Sequence, residues 1–132
     1  MKYFLDTNIV SYILNGNAAV KNTVRELLLR GNDVLIPDFV YYEIKRGLLA
    51  ANAAKKLSAF DDFVKAFGIA AVTLQAFDLA SHIYAQLKQS GKLIEDADLL
   101  IGCSALCRNA ILITNNEKHF KKIENLQILA VK

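Results

Sequence analysis

Apolar residues along this chain follow two spacings. Short runs such as Tyr3-Phe4-Leu5, Val34-Leu35-Ile36 and Ile111-Leu112-Ile113 are nearly continuous. Longer stretches repeat with a helical period, as in Val20, Val24, Leu27 and Leu28, and again in Leu57, Phe60, Phe63 and Val64. The pattern predicts strands over Lys2 to Asp6, Asp33 to Pro37, Gly68 to Leu74, Ile111 to Thr114 and Gln127 to Val131. Helices are predicted over Asn8 to Leu14, Ala18 to Arg30, Phe39 to Leu49, Lys55 to Phe67, Phe77 to Gln89 and Asp96 to Arg108, with a short helical turn after Thr114. Strands that are apolar throughout, rather than alternating, belong to parallel sheets covered on both faces. The expected architecture is therefore α/β, an open, mainly parallel sheet of about five strands flanked by helices. The single proline, Pro37, suits a strand end that leads into a helix.

With 132 residues and no low-complexity segment or linker, residues 1–132 are read as one domain. The 54% hydrophobic content supplies a core. The longest apolar stretch, Ala97 to Cys107, is interrupted by Asp98 and Ser104, and Asp6 interrupts the N-terminus. Neither suits a membrane span or a signal peptide, so a soluble, cytoplasmic protein is expected. Cys103 and Cys107 stack one helical turn apart and, with no second pair, read as reduced core thiols. Sixteen basic against thirteen acidic residues give a net charge of +3, compatible with a nucleic-acid partner but not diagnostic of one.

In parallel sheets, ligands bind beyond the carboxyl ends of the strands, and the unusual acids cluster there. Asp6 closes the first strand; it suits a helix N-cap as well as a ligand. Glu43 lies in a helix beside Phe39, Val40 and Gly47, a largely apolar face on which a carboxylate needs a partner. Asp96 and Asp98, with Glu95 before them, put three acids into four residues at a helix start. The helix dipole accounts for one such acid. Two unit charges about 4 Å apart repel by about 4 kcal/mol at an effective dielectric near 20, a penalty that a divalent cation reverses. Asp98, then Asp96, are the preferred ligands, with Glu95 exposed. Thr114 and Glu117 match a capping box, which leaves the Thr114 hydroxyl and Asn116 to position a ligand or water. Oxygen-only donors select Mg²⁺ or Mn²⁺ over zinc, and the chemistry they suit best is attack of water on a phosphodiester. His82 and His119 read as surface or packing residues.

Leu5-Asp6-Thr7-Asn8, Tyr41-Tyr42-Glu43-Ile44 with Gly47-Leu48, Asp96-Ala97-Asp98-Leu99-Leu100-Ile101, and Ile113-Thr114-Asn115-Asn116 with His119-Phe120 occur in that order. In this the chain resembles the PIN-domain family, and within it the VapC toxins of toxin–antitoxin pairs, over essentially its whole length. The resemblance implies a PIN fold and Mg²⁺- or Mn²⁺-dependent hydrolysis of structured RNA, tRNA or ribosomal RNA. It also implies a homodimer and a VapB-like antitoxin that blocks the groove. The family's acids fall on Asp6, Glu43 and Asp98, and Asp96 matches an additional acid of many members. The fourth position, often Asp, is Asn116 here, so one firmly bound metal is expected, with Asp96 as a compensating ligand. Lys45 and Arg46 after Glu43, and Lys118, Lys121 and Lys122 after Asn116, then become candidates for RNA phosphate contacts at the groove rim.

Three other readings compete. A PIN-like module could bind RNA or protein without cutting, and a PIN nuclease could mature RNA with no antitoxin. A phosphoryl-accepting receiver is disfavoured, because the middle strand ends in Thr73-Leu74-Gln75 and the last in Val131-Lys132, not in the Asp and Lys it needs.

Overall fold

Strand β1 (Lys2–Leu5) leads into helices α1 (Thr7–Leu14) and α2 (Ala18–Leu29), then β2 (Asp33–Pro37), α3 (Asp38–Ala50) and α4 (Ala54–Phe67). The second half runs β3 (Ile69–Ala70), α5 (Leu74–Gln89), α6 (Asp96–Cys107), β4 (Ala110–Thr114), α7 (Glu117–Phe120) and β5 (Ile128–Ala130). The structure, a computed structural model, describes residues 1–131; Lys132, invoked in the receiver reading, lies outside the described residues.

All five strands are parallel, in the order β3-β2-β1-β4-β5. β1 sits in the middle, with Tyr3 level with Val34 on one side and Ile111 on the other. Successive strands are added to one side of β1 and then to the other, so the strand order reverses between β1 and β4. The helices that follow these two strands diverge there and open a crevice. Asp6 ends β1 and Thr114 ends β4, which places both at that crevice.

Two element boundaries differ from the sequence expectation by more than one residue, each for a local reason. The strand expected over Gly68 to Leu74 shrinks to Ile69–Ala70 at the sheet edge, where it has only β2 to pair with. Thr73 then caps the next helix, its hydroxyl accepting from the Ala76 N–H at 3.2 Å, so α5 starts at Leu74 rather than Phe77. The peptide N–H of Val72 turns away from the sheet to the Asp38 carboxylate, 3.0 Å away at the start of α3.

The expected capping box at Thr114 and Glu117 does not form. The Thr114 hydroxyl accepts from the Asn116 N–H at 2.9 Å, only two residues on, and Glu117 pairs with Lys121 at 2.8 Å. Asn116, not Thr114, is the residue that precedes α7. Thr114 is still inside the sheet, and its hydroxyl is already committed to Asp6.

Helix α6 runs through the core: Leu99, Ile101, Gly102, Cys103, Ser104 and Ala105 are all buried. Small residues let neighbouring elements come close. A Cβ on Gly102 would collide with Ile123 and lie 3.3 Å from Leu126 and 3.5 Å from Phe120. Cys103 is buried and free, as expected of a core thiol, and burial pushes it up to about 12, far from reactive thiolate. Gly102→Val therefore overpacks the contact between α6 and the α7–β5 segment. It should lower the unfolding free energy by about 1–3 kcal/mol, seen as a lower urea midpoint at unchanged slope.

Candidate active site

Asp6 takes an extended backbone conformation before α1 and turns its side chain back over the helix start. Its Oδ1 accepts from the Thr7 N–H at 2.8 Å, the capping bond foreseen for it. Its Oδ2 accepts from the Thr114 hydroxyl at 2.7 Å, a bond across the crevice from β4. Asp6 is only 4% exposed and Thr114 fully buried. Burial pushes the Asp6 carboxyl above its usual range, against the pull of its two hydrogen bonds, and the charge of Glu43 adds to the rise.

Glu43 arrives from the middle of α3, and its Oε1 accepts from the Thr7 hydroxyl at 2.8 Å. Thr7 thus donates its backbone N–H to one acid and its hydroxyl to another. Sequence reasoning missed this residue; the available signal was a hydroxyl immediately after the acid that closes a strand. Arg46 stands 4.0 Å from Glu43 Oε2, one helical turn on, and lies over the Tyr42 ring.

Asp98 enters from the first turn of α6, half-buried. Burial and the charge of Asp6 raise its carboxyl, and the neighbouring His119 opposes the rise. His119, expected as a surface or packing residue, is at the surface; its Nδ1 lies 3.6 Å from Asp98 Oδ2 and 3.0 Å from Asn116 Nδ2. Its position one turn after Asn116 was the signal that could have linked it to the acids. Asn115 accepts from Asn8 Nδ2 at 3.2 Å and donates to the Tyr12 hydroxyl at 2.6 Å, tying α1 to the end of β4.

The structure thus brings Asp6, Glu43, Asp98, Thr114 and Asn116 into one network. Asp96 stands apart: it is exposed and lines a groove with Phe39, Tyr84 and Leu99, because two residues along a helix point almost oppositely. Glu95 is exposed, as expected. The basic candidates divide. Arg46 borders Glu43, whereas Lys45 reaches Asp61 on α4 at 3.5 Å and leans on Tyr41. Lys118 is exposed, Lys121 is paired with Glu117, and Lys122 donates to the Leu93 carbonyl at 3.3 Å.

Oxygen atoms are the only donors that Asp6, Glu43 and Asp98 can offer, and two of these carboxyls are raised by burial and mutual charge. A doubly positive ion would relieve that repulsion, and this donor chemistry fits Mg²⁺ or Mn²⁺. Among the described residues no three His, Cys, Asp or Glu side chains are already placed to hold a metal ion together. The acids would have to turn toward an ion to enclose it.

A sequence model of the PIN domain matches residues 3–126. Ribonuclease VapC2 of Rickettsia felis is 33% identical over 127 residues, spanning 96% of this chain and 95% of that protein. Ribonuclease VapC1 of Haemophilus influenzae is 33% identical over 130 residues, spanning 96% of both. Among solved structures, VapBC2 from Rickettsia felis bound to a promoter DNA fragment superposes with a TM-score of 0.91 at 31% identity over the full length of both chains. VapBC-1 from nontypeable Haemophilus influenzae gives 0.88 at 28% identity over 98% of both.

The raised carboxyls set a pH dependence. Asp6 and Asp98 hold protons more tightly folded than unfolded, so between the ordinary value of 3.8 and their raised values the native state binds the extra protons. Stability then falls as pH climbs through that window and levels off above it. Asp98→Asn removes one of the two charges. With chelator present it should melt about 2–6 °C above the wild type at pH 7, and the gain should vanish once the pH drops below the unfolded carboxyl value.

Proposed function

Because the chain belongs to the PIN domain family, we propose that it is a VapC-type ribonuclease, the toxin of a toxin–antitoxin pair, and that it hydrolyses phosphodiester bonds of tRNA or ribosomal RNA with Mg²⁺ or Mn²⁺. The observation that carries the reading is the network at the crevice between β1 and β4 that links acids from three separate segments: Thr7 bonds both Asp6 and Glu43, and Thr114, Asn116 and His119 connect Asp6 to Asp98. Acids kept together against their own repulsion need a purpose that offsets it.

In this reading Asp6 and Asp98 would hold the ion, with Glu43 completing the set. The chemistry supplied there would be a lowered pKa for an attacking water and relief of charge on the phosphate oxygens. Thr114 and Thr7 hold the Asp6 oxygens in fixed directions, and Thr7 does the same for Glu43. His119 borders Asp98 and Asn116 borders His119, and both are proposed to hydrogen-bond a phosphate oxygen or a water. Asp96, on the other face of α6, is assigned an outer role, attracting a hydrated cation without contacting it. Arg46, Lys118 and Lys122 are the rim cations proposed for RNA phosphates, with Lys121 and Lys45 contributing once drawn from their acidic partners.

The proposed partner is a VapB-like antitoxin, in line with the VapBC complexes that this fold matches. The apolar groove of Ile13, Val24, Leu28, Phe63 and Phe67, rimmed by Lys21 and Arg25, suits an amphipathic segment of such a protein. Exposed Tyr42, Leu74, Phe77 and Tyr84 offer an apolar strip for the proposed homodimer. Among the described residues no helix is long and apolar enough to cross a membrane, and the cytoplasm is the proposed setting.

The protein freed of any inhibitor and incubated with a tRNA and ribosomal RNA pool should cut in Mn²⁺ or Mg²⁺ and stop when the ion is chelated. Asp6→Asn should lose activity by about 100-fold or more. An intact, folded wild type that cuts nothing in either metal would assign the fold to a non-catalytic binding module. Thr7→Val, which removes the hydroxyl that orients Glu43, should lower kcat by about 10–100-fold, with recovery in Thr7→Ser.

A further inference from the structure

A cavity of about 250 Å³ lies between α1 and α3, immediately beside Glu43. It follows from matched helical spacings. Thr7, Ser11 and Asn15 form one stripe along α1, and Glu43 and Gly47 form the facing stripe of α3. Leu14, Ile44 and Leu48 make its apolar walls, and Lys56 of α4 stands at its rim. Gly47 lines its wall, and a Cβ there would meet nothing within 4 Å, so a larger side chain has room at this position.

The chemistry of this cavity selects its occupant. With no ion between them Glu43 repels a phosphate, so the cavity interior does not suit the RNA backbone. The apolar walls favour a flat, weakly hydrated group. The Ser11 hydroxyl and the Asn15 amide form no hydrogen bond with other described side chains or backbone, and together they offer donors and acceptors for a base edge. The volume is below the ~300–1,000 Å³ of sites for drug-sized ligands and suits one ring system rather than a folded segment. Unstacked bases of single-stranded RNA are recognised by contact on the ring face and hydrogen bonds on the edge, and here aliphatic walls take the place of the usual aromatic platform.

We propose that the cavity between α1 and α3 is a nucleobase subsite, which holds one unstacked base next to the phosphodiester under attack while Lys56 meets the adjacent phosphate. This rests on the ribonuclease reading and adds to it a source of sequence preference. The acids position the reaction, and Ser11, Asn15 and the neighbouring apolar walls select which nucleotide is presented to it.

The test starts from the bond that the wild type cuts in a tRNA pool with Mn²⁺. A short single-stranded RNA carrying that bond is then made with an abasic ribose at each flanking position in turn. One abasic position should lower wild-type kcat/KM by about 10–100-fold. Gly47→Leu, which fills the cavity from an exposed helical position, should show a similar loss on the intact RNA and no further loss on that abasic one. Asn15→Ala should weaken discrimination among bases at the same position while leaving Mn²⁺-induced thermal stabilisation unchanged. Equal cleavage of intact RNA by Gly47→Leu and wild type would overturn the proposal, as would an undiminished abasic effect in the variant. Unaltered cleavage with lost inhibition by a co-expressed antitoxin would assign the cavity to a protein side chain instead and overturn it too. A wild type that cuts no RNA sinks the ribonuclease reading itself, a distinct result.

Discussion

One buried carboxylate organises this protein. Asp6 is held at the end of the central strand by a hydroxyl from β4 and a backbone N–H from α1, and it is almost wholly withdrawn from water. Burial of a charged group is unfavourable unless hydrogen bonds or an opposite charge compensate. Here the hydrogen bonds compensate in part, since the carboxyl is still pushed upward. The remaining strain explains the arrangement around it. Thr114 must end β4 at the right height, which requires the register that sets Leu5 level with Ile113. Thr7 must follow at once to hold both Asp6 and Glu43.

The sheet order makes that meeting possible. With β1 flanked by β2 and β4, the helices after β1 and β4 leave a crevice between them, and α3 and α6 each direct one acid toward it. Asp98 benefits from the helix start and suffers from its neighbour's charge. The balance of those two effects fits a site built for a cation better than one built for stability. The features proposed to face a substrate lie beside this core of charge: Arg46, next to Glu43 and over the Tyr42 ring, and the cavity between α1 and α3 that Gly47 lines. In the proposed reading, reaction chemistry and base selection meet at Glu43, which belongs to the acid set and also lines the cavity.

Most of the fold was legible in the chain because its signals are local. Continuous apolar runs such as Ile111-Leu112-Ile113 announced buried parallel strands, and the 3.6-residue spacing of Leu57, Phe60, Phe63 and Val64 announced α4. Boundaries failed where a side chain competed for a backbone group. Thr73 ended β3 early by capping α5, and the Thr114 hydroxyl, drawn to Asp6, abandoned the expected capping box. The acids stood out individually because capping and the helix dipole accounted for only some of them.

What the sequence determined by itself, then, was the set of elements, the α/β class and the short roster of acids at strand ends and helix starts, all readable from neighbours within a turn or two. Tertiary structure alone decided which of those acids meet. Asp6 and Thr114 are 108 positions apart and Thr7 and Glu43 are 36 apart, yet each pair shares a hydrogen bond. Asp96 and Asp98 are nearly adjacent in the chain and face different surfaces. Helix rotation and strand order govern such pairings, and neither is written in any local stretch of residues.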